Sequence, residues 1–160
     1  MSRLCHTRPV QISLLDVAAD EQLAGRLLRL QRAAYAQEAA LIGDDRIPPL
    51  HETLEDLRNA SLHWAGAFDD DGLMGAVAWE ETAEEVDIAR LVVSPDRHRR
   101  GVGKALVREV LTLSGDRRTV VSTGRDNAPA RRLYERLGFA TVGDVEVLPG
   151  LWVTRYTTEH

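Results

Sequence analysis

Residues 87–104 read DIARLVVSPDRHRRGVGK, and this stretch decides the fold. Residues 88–93 form a short apolar run that Ser94-Pro95 closes, the pattern of a buried strand. Residues 96–100 are polar and strongly basic. Gly101-Val102-Gly103 then opens an amphipathic helix. Strand, basic glycine turn and helix in that order make an anion site. The first N–H groups of a helix lack partners within it, and the helix dipole adds partial positive charge there. Glycine lets a phosphate approach the backbone closely. Arg97, Arg99, Arg100 and Lys104 surround that point with charge.

Two phosphate-binding motifs are excluded. A Walker loop needs a glycine before the Gly-Lys pair where His98 stands, and Ser or Thr where Ala105 stands. The dinucleotide fingerprint needs a third glycine, and Leu106 occupies its position.

Upstream, residues 10–15 alternate as a short strand. Residues 21–42 carry Leu23, Leu27, Leu30 and Ala34 at helical spacing. Gly43 ends that helix. Ile47-Pro48-Pro49-Leu50 is expected to be extended, because proline disfavours helix before it. Residues 53–60 read as a second helix. Residues 62–68, 73–81 and 86–93 are strands joined by short polar turns, an antiparallel meander.

The helix after Gly101 is expected to bury Val102, Leu106, Val110 and Leu113, and to stop at Gly115. Residues 119–123 are a β-branched strand, parallel to the preceding one because a helix intervenes. Asp126-Asn127-Ala128-Pro129 starts a last helix, ended by Leu137-Gly138-Phe139. Residues 139–148 and 151–157 make a terminal hairpin. Trp64, Trp79 and Trp152 lie on these strands, where core packing accounts for them.

The chain has 160 residues, the size of one domain, with 44% hydrophobic and 28% charged residues. Its net charge of −5 disfavours a general nucleic-acid surface. The lone Cys5 excludes an intramolecular disulfide. With no apolar run of membrane-spanning length and no secretory signal pattern, a cytoplasmic location is expected. Cys5 and the five histidines show no zinc spacing, so no metal is expected.

His98-Arg99-Arg100-Gly101-Val102-Gly103 resembles the acyl-CoA-binding motif of the GNAT superfamily of N-acetyltransferases, with His98 where the family places Gln or Arg. Asn127, Tyr134 and Leu137-Gly138-Phe139 resemble its second motif. The likeness is strongest in residues 87–104 and 127–139. It implies an α+β fold: a mixed, mostly antiparallel sheet of about six to seven strands with helices on both faces. It also implies one domain over residues 1–160, with an acceptor-shaping part over about 1–60 and an acetyl-CoA-binding core over about 61–160.

The resemblance implies acetyl transfer from acetyl-CoA to a primary amine of a small molecule or peptide, by direct attack through a tetrahedral intermediate. Leu91, Val92 and Val93 would pair with the pantetheine arm. Arg99, Arg100, Gly101, Val102, Gly103 and Lys104 would hold the pyrophosphate, and Asn127 and Tyr134 would complete the cofactor site. The Leu91 amide would donate to the thioester oxygen, and Tyr134 would protonate the leaving thiolate. Deprotonating an alkyl amine at neutral pH costs about 4.6 kcal/mol, so a base is needed. Asp87 stands where many family members carry glutamate, and strand alternation puts it on one face with Ala89, Leu91 and Val93. Asp87 is the first candidate, with Glu85 and Glu80 behind it. The competing reading is a non-catalytic acyl-CoA-binding or sensor domain. Neither nucleic acid nor membrane is an expected partner, and a homodimer is left open.

Overall fold

The structure is a computed structural model that describes residues 10–97 and 101–158. Seven strands form one sheet. They are β1 (Gln11–Leu14), β2 (His63–Asp69), β3 (Gly72–Glu81), β4 (Glu85–Val93), β5 (Arg118–Gly124), β6 (Ala140–Leu148) and β7 (Leu151–Thr157). Their order is β1-β2-β3-β4-β5-β7-β6. The β4–β5 pair is parallel and the other described pairs are antiparallel. The terminal hairpin thus inserts its second strand, β7, beside β5.

Four α-helices flank the sheet: α1 (Glu21–Ile42), α2 (Leu54–Asn59), α3 (Val102–Ser114) and α4 (Ala128–Arg136). Each start has a local cause. Asp20 caps α1 by accepting from the Leu23 amide. Thr53 and Asp56 form a reciprocal capping box on α2. Asn127 caps α4 through Ala130, with proline in the first turn.

Two apolar clusters occupy the two faces of the sheet. On one, Val102, Leu106, Val107 and Val110 of α3 pack with Val86, Ile88 and Val121. On the other, Ala24, Leu27 and Leu28 of α1 pack with Leu57, Trp64, Ala78 and Val92. Gly75 permits the close seating of α3, because a Cβ there would lie 2.9 Å from Val102 Cγ1 and 2.9 Å from the Val92 carbonyl.

Several expectations are corrected. Pro48–His51 is a 3-10 turn, with only Ile47 extended before it; proline's fixed φ suits the first positions of such a turn. Leu113 is 43% exposed. Ser114 takes the buried position instead, donating to the Val110 carbonyl at 2.8 Å while accepting from Thr119 Oγ1 at 2.7 Å. Trp64 and Trp79 are buried as core residues, whereas Trp152 is half-buried beneath the Arg125 guanidinium, 4.8 Å from its ring centroid.

Candidate active site

The site begins where two strands part. The β4–β5 ladder runs from Glu85↔Arg118 to Ile88↔Val121 and stops, while β4 continues to Val93 beside β3. The Ser94 amide donates to the Met74 carbonyl at 2.8 Å. Alternation along an antiparallel strand then turns the backbone groups of Val92 and Arg90 toward β3 as well. Leu91 and Val93 point theirs the opposite way, into the gap that β5 has left. Val92 therefore does not share the orientation expected of it: its amide faces β3 and its side chain lies in the α1-side core.

A bulge decides which β4 side chains share a face. Ala78 pairs with Arg90 and Trp79 with Ile88, so Ala89 is the extra residue. Val86 and Ile88 pack on the α3 side, and so do Leu91 and Val93. The bulge shifts the alternation by one, so Asp87 and Leu91 are not on the same face. Asp87 is exposed and lies on the fully paired part of β4, opposite Glu80 and Val120. Partial desolvation raises its carboxyl above the ordinary range, and the nearby Glu85 and Glu80 add to this.

The gap opens into a cavity of about 460 Å³. Its walls include Ala89, Arg90 and Leu91 of β4, residues 121–124 of β5, Asn127 and Tyr134 of α4, and Tyr35 and Glu38 of α1. Asp87, Glu85 and Glu80 are not among its lining residues. Tyr134 is buried, with its ring 5.5 Å from Phe139 and 5.9 Å from Tyr156. Burial and the negative charge of Glu38 raise its phenol well above the ordinary range, so it keeps its proton at neutral pH.

At one end of the gap stands the N-terminus of α3. Gly101 caps it with φ 73°, a left-handed conformation suited to glycine. The first intrahelical bond runs from Ala105 to the Gly101 carbonyl, which leaves the amides of Val102, Gly103 and Lys104 without helical acceptors. A Cβ at Gly103 would sit 3.4 Å from Leu133 Cδ2, 3.7 Å from Val93 Cγ2 and 3.9 Å from Leu91 Cδ2. Gly103 therefore borders the same gap. His98, Arg99 and Arg100 lie outside the described residues.

Two ion pairs brace the cavity wall on the side of α1 and the loop that follows it. Arg90 grips Glu52 at 2.7 Å and donates to Gln31 Oε1 at 3.0 Å; Gln31 in turn donates to the Pro49 carbonyl at 2.9 Å. This network seats the 3-10 turn on the sheet. Arg46 pairs with Asp44 at 2.7 Å and donates to the Pro149 carbonyl at 2.9 Å, joining the loop after α1 to the β6–β7 turn.

Comparison with known proteins agrees with this geometry. The profile of the acetyltransferase (GNAT) family matches residues 24–139. The chain belongs to that family. It is 35% identical over 130 residues to the UPF0157 protein YqkA of Bacillus subtilis (strain 168), covering 81% of this chain but only 38% of that protein. It is 29% identical over 117 residues to the N-alpha-acetyltransferase RimI of Mycobacterium tuberculosis (strain ATCC 25618 / H37Rv), covering 71% of this chain and 73% of that protein. The fold also matches the crystal structure of PaiA N-acetyltransferase from Thermoplasma acidophilum in complex with coenzyme A. There the TM-score is 0.75 at 18% identity, with 96% of this chain and all of that chain covered.

This GNAT chain lines the gap with Leu91, Asn127 and Tyr134, with Gly103 and Val93 close beside Leu91. Glu38, Tyr35 and Arg46 also line the gap, and the helical spacing of Leu23, Leu27, Leu30 and Ala34 did not reveal them. A signal for the first two was present in α1. Ala24, Leu28, Gln31, Tyr35, Glu38 and Ile42 recur at spacings of four and three, so the buried stripe turns polar over the site. Among the described residues no cluster of three His, Cys, Asp or Glu could hold a metal ion, and no helix is long and apolar enough to cross a membrane.

Proposed function

We propose that the chain transfers an acetyl group from acetyl-CoA to a primary amine of a small molecule or peptide by direct attack. The observation that carries the proposal is the parting of β4 from β5. It leaves the Leu91 and Val93 backbone groups facing a gap, with the α3 N-terminus at one end and Tyr134 beside it. The names of the RimI and PaiA relatives, both N-acetyltransferases, support an amine as acceptor. Residues 61–160 would then hold acetyl-CoA, and about 1–60 would shape the acceptor side. A cytoplasmic setting belongs to the same proposal.

Acetyl-CoA fits the residues present. A chain that must lie along β4 finds free backbone partners at Leu91 and Val93. A pyrophosphate finds three helix amides, with Arg99 and Arg100 adjacent in sequence. Gly103 leaves the space that a side chain would take. When bound, acetyl-CoA supplies a thioester carbonyl open to an amine.

The Leu91 N–H donates to the carbonyl oxygen as negative charge develops there. One fixed donor of this kind contributes roughly 3–4 kcal/mol to the transition state. Tyr134, held protonated by burial, supplies the proton that the departing sulfur needs. Asn127 braces the site by capping α4. Asp87, outside the cavity, would need a water relay to act on the amine.

The test is transfer itself. The protein is incubated with acetyl-CoA and a set of primary amines, and the amines are read by mass spectrometry. Acetylated product is the expected result. Binding of acetyl-CoA without product from any amine would favour a non-catalytic acyl-CoA-binding domain.

A further inference from the structure

Three residues lining the cavity carry full charges: Glu38, Arg46 and Arg90. The two arginines are already neutralised, Arg46 by Asp44 and Arg90 by Glu52. Among the described residues, Glu38 has only neutral partners. The Asn127 side chain and the Gly124 backbone amide hydrogen-bond its carboxylate. Tyr35 of its own helix and Tyr134 of α4 stand close enough to feel its charge. A Cβ at Gly124 would be 3.7 Å from Glu38 Oε2, which puts the carboxylate at the end of β5, in the cavity that Leu91 also lines.

We infer that Glu38 receives the ammonium group of the acceptor and takes its first proton, and that the acceptor carries a single positive charge on an apolar body. The inference rests on the acetyl-transfer reading. A carboxylate with no opposing charge in a half-buried cavity gains most from a cation that enters beside it. Burial raises its proton affinity, which brings it nearer to the range of a working base. Ile42, Ile47 and Pro48 on one side, and Val147 and Leu148 on the hairpin, give the cavity apolar surface as well. A second positive charge on the acceptor would find no further carboxylate among the residues lining the cavity.

The protons balance as follows. The ammonium gives one proton to Glu38, which later loses it to solvent. The neutral nitrogen forms the N–C bond and the C–S bond breaks. The Tyr134 proton goes to sulfur, and the second nitrogen proton replaces it on Tyr134. The net products are the amide, the free thiol of CoA and one proton.

The test uses 2-phenylethylamine as the monocationic probe, with the protein saturated by CoA. Calorimetry should show that Glu38→Gln weakens probe binding about tenfold or more while CoA affinity is unchanged. Spermidine should bind wild type more weakly than the probe. In turnover at neutral pH, Glu38→Gln should lower kcat/KM for 2-phenylethylamine about 100-fold, but far less for aniline, which is already neutral. A wild-type complex that fails to bind the probe, equal losses for both amines, or a greater loss from Asp87→Asn than from Glu38→Gln overturns the assignment. Glu38-dependent probe binding without any thiol release would leave the ammonium site standing and sink the transfer reading alone.

Discussion

Arg90 and Glu52 meet in two parallel hydrogen bonds, Nη1 to Oε1 and Nη2 to Oε2, each 2.7 Å. The pair ties β4, just past its bulge, to the segment between the 3-10 turn and α2. Their side chains are only 11% and 17% exposed. Removing one partner leaves the other as an uncompensated buried charge. Arg90→Met is therefore expected to lower stability by about 3–5 kcal/mol, read from urea unfolding. Exchanging Glu52 for Leu in the same chain should restore most of it. A double variant no more stable than the single would show that the ion pair is not the cause.

Tyr134→Phe removes the phenol and keeps the ring that packs on Phe139 and Tyr156. Turnover should fall about tenfold or more, and calorimetric acetyl-CoA affinity should change little. Undiminished turnover would remove Tyr134 from the proton path.

Gly103 separates bulk from fold. Its missing Cβ would make ordinary contacts with Val93 and Leu91 and a slightly tight one with Leu133, so Gly103→Ala should fold normally. Gly103→Glu places length and negative charge beside the three free amides of α3. It should abolish acetyl-CoA binding while leaving the unfolding midpoint near that of Gly103→Ala. Unchanged affinity would contradict the anion cradle.

Glu38 links the site to stability. Desolvation raises its folded carboxyl above the ordinary value of 4.5, against the opposing hydrogen bonds from Asn127 and Gly124. The native state then binds a proton that the unfolded chain has already lost. The favourable contribution is complete below the unfolded value and disappears as pH rises through the folded one. Glu38→Gln should therefore be more stable than wild type at neutral pH, with the difference shrinking as pH falls below the ordinary value. A gain that is the same at both pH values would show that charge burial is not its source.

Much of this architecture is written in local patterns. Apolar and β-branched runs bounded by polar turns marked β2 to β5, and Gly115 ended α3 where expected, with φ 61°. The turn residues also placed α1 and the terminal hairpin correctly. What escaped depends on partners distant in sequence. The extra residue at Ala89 exists only relative to β3, and nothing in residues 85–93 marks it. Yet it moves Asp87 off the face of Leu91. Glu38 acquires its setting only where α1 lies over the end of β5. Leu113 and Ser114 exchanged roles because Thr119 supplies the Ser114 hydroxyl with a buried partner.

The most direct measurement is the initial rate of CoA thiol release from acetyl-CoA, with and without primary amines. The panel should include monoamines, polyamines and peptides with free N-termini. The account predicts release that depends on the amine, is fastest with monocationic apolar amines, and is lost in Gly103→Glu. Release no faster than background hydrolysis with every amine, in a protein that binds acetyl-CoA, would contradict it.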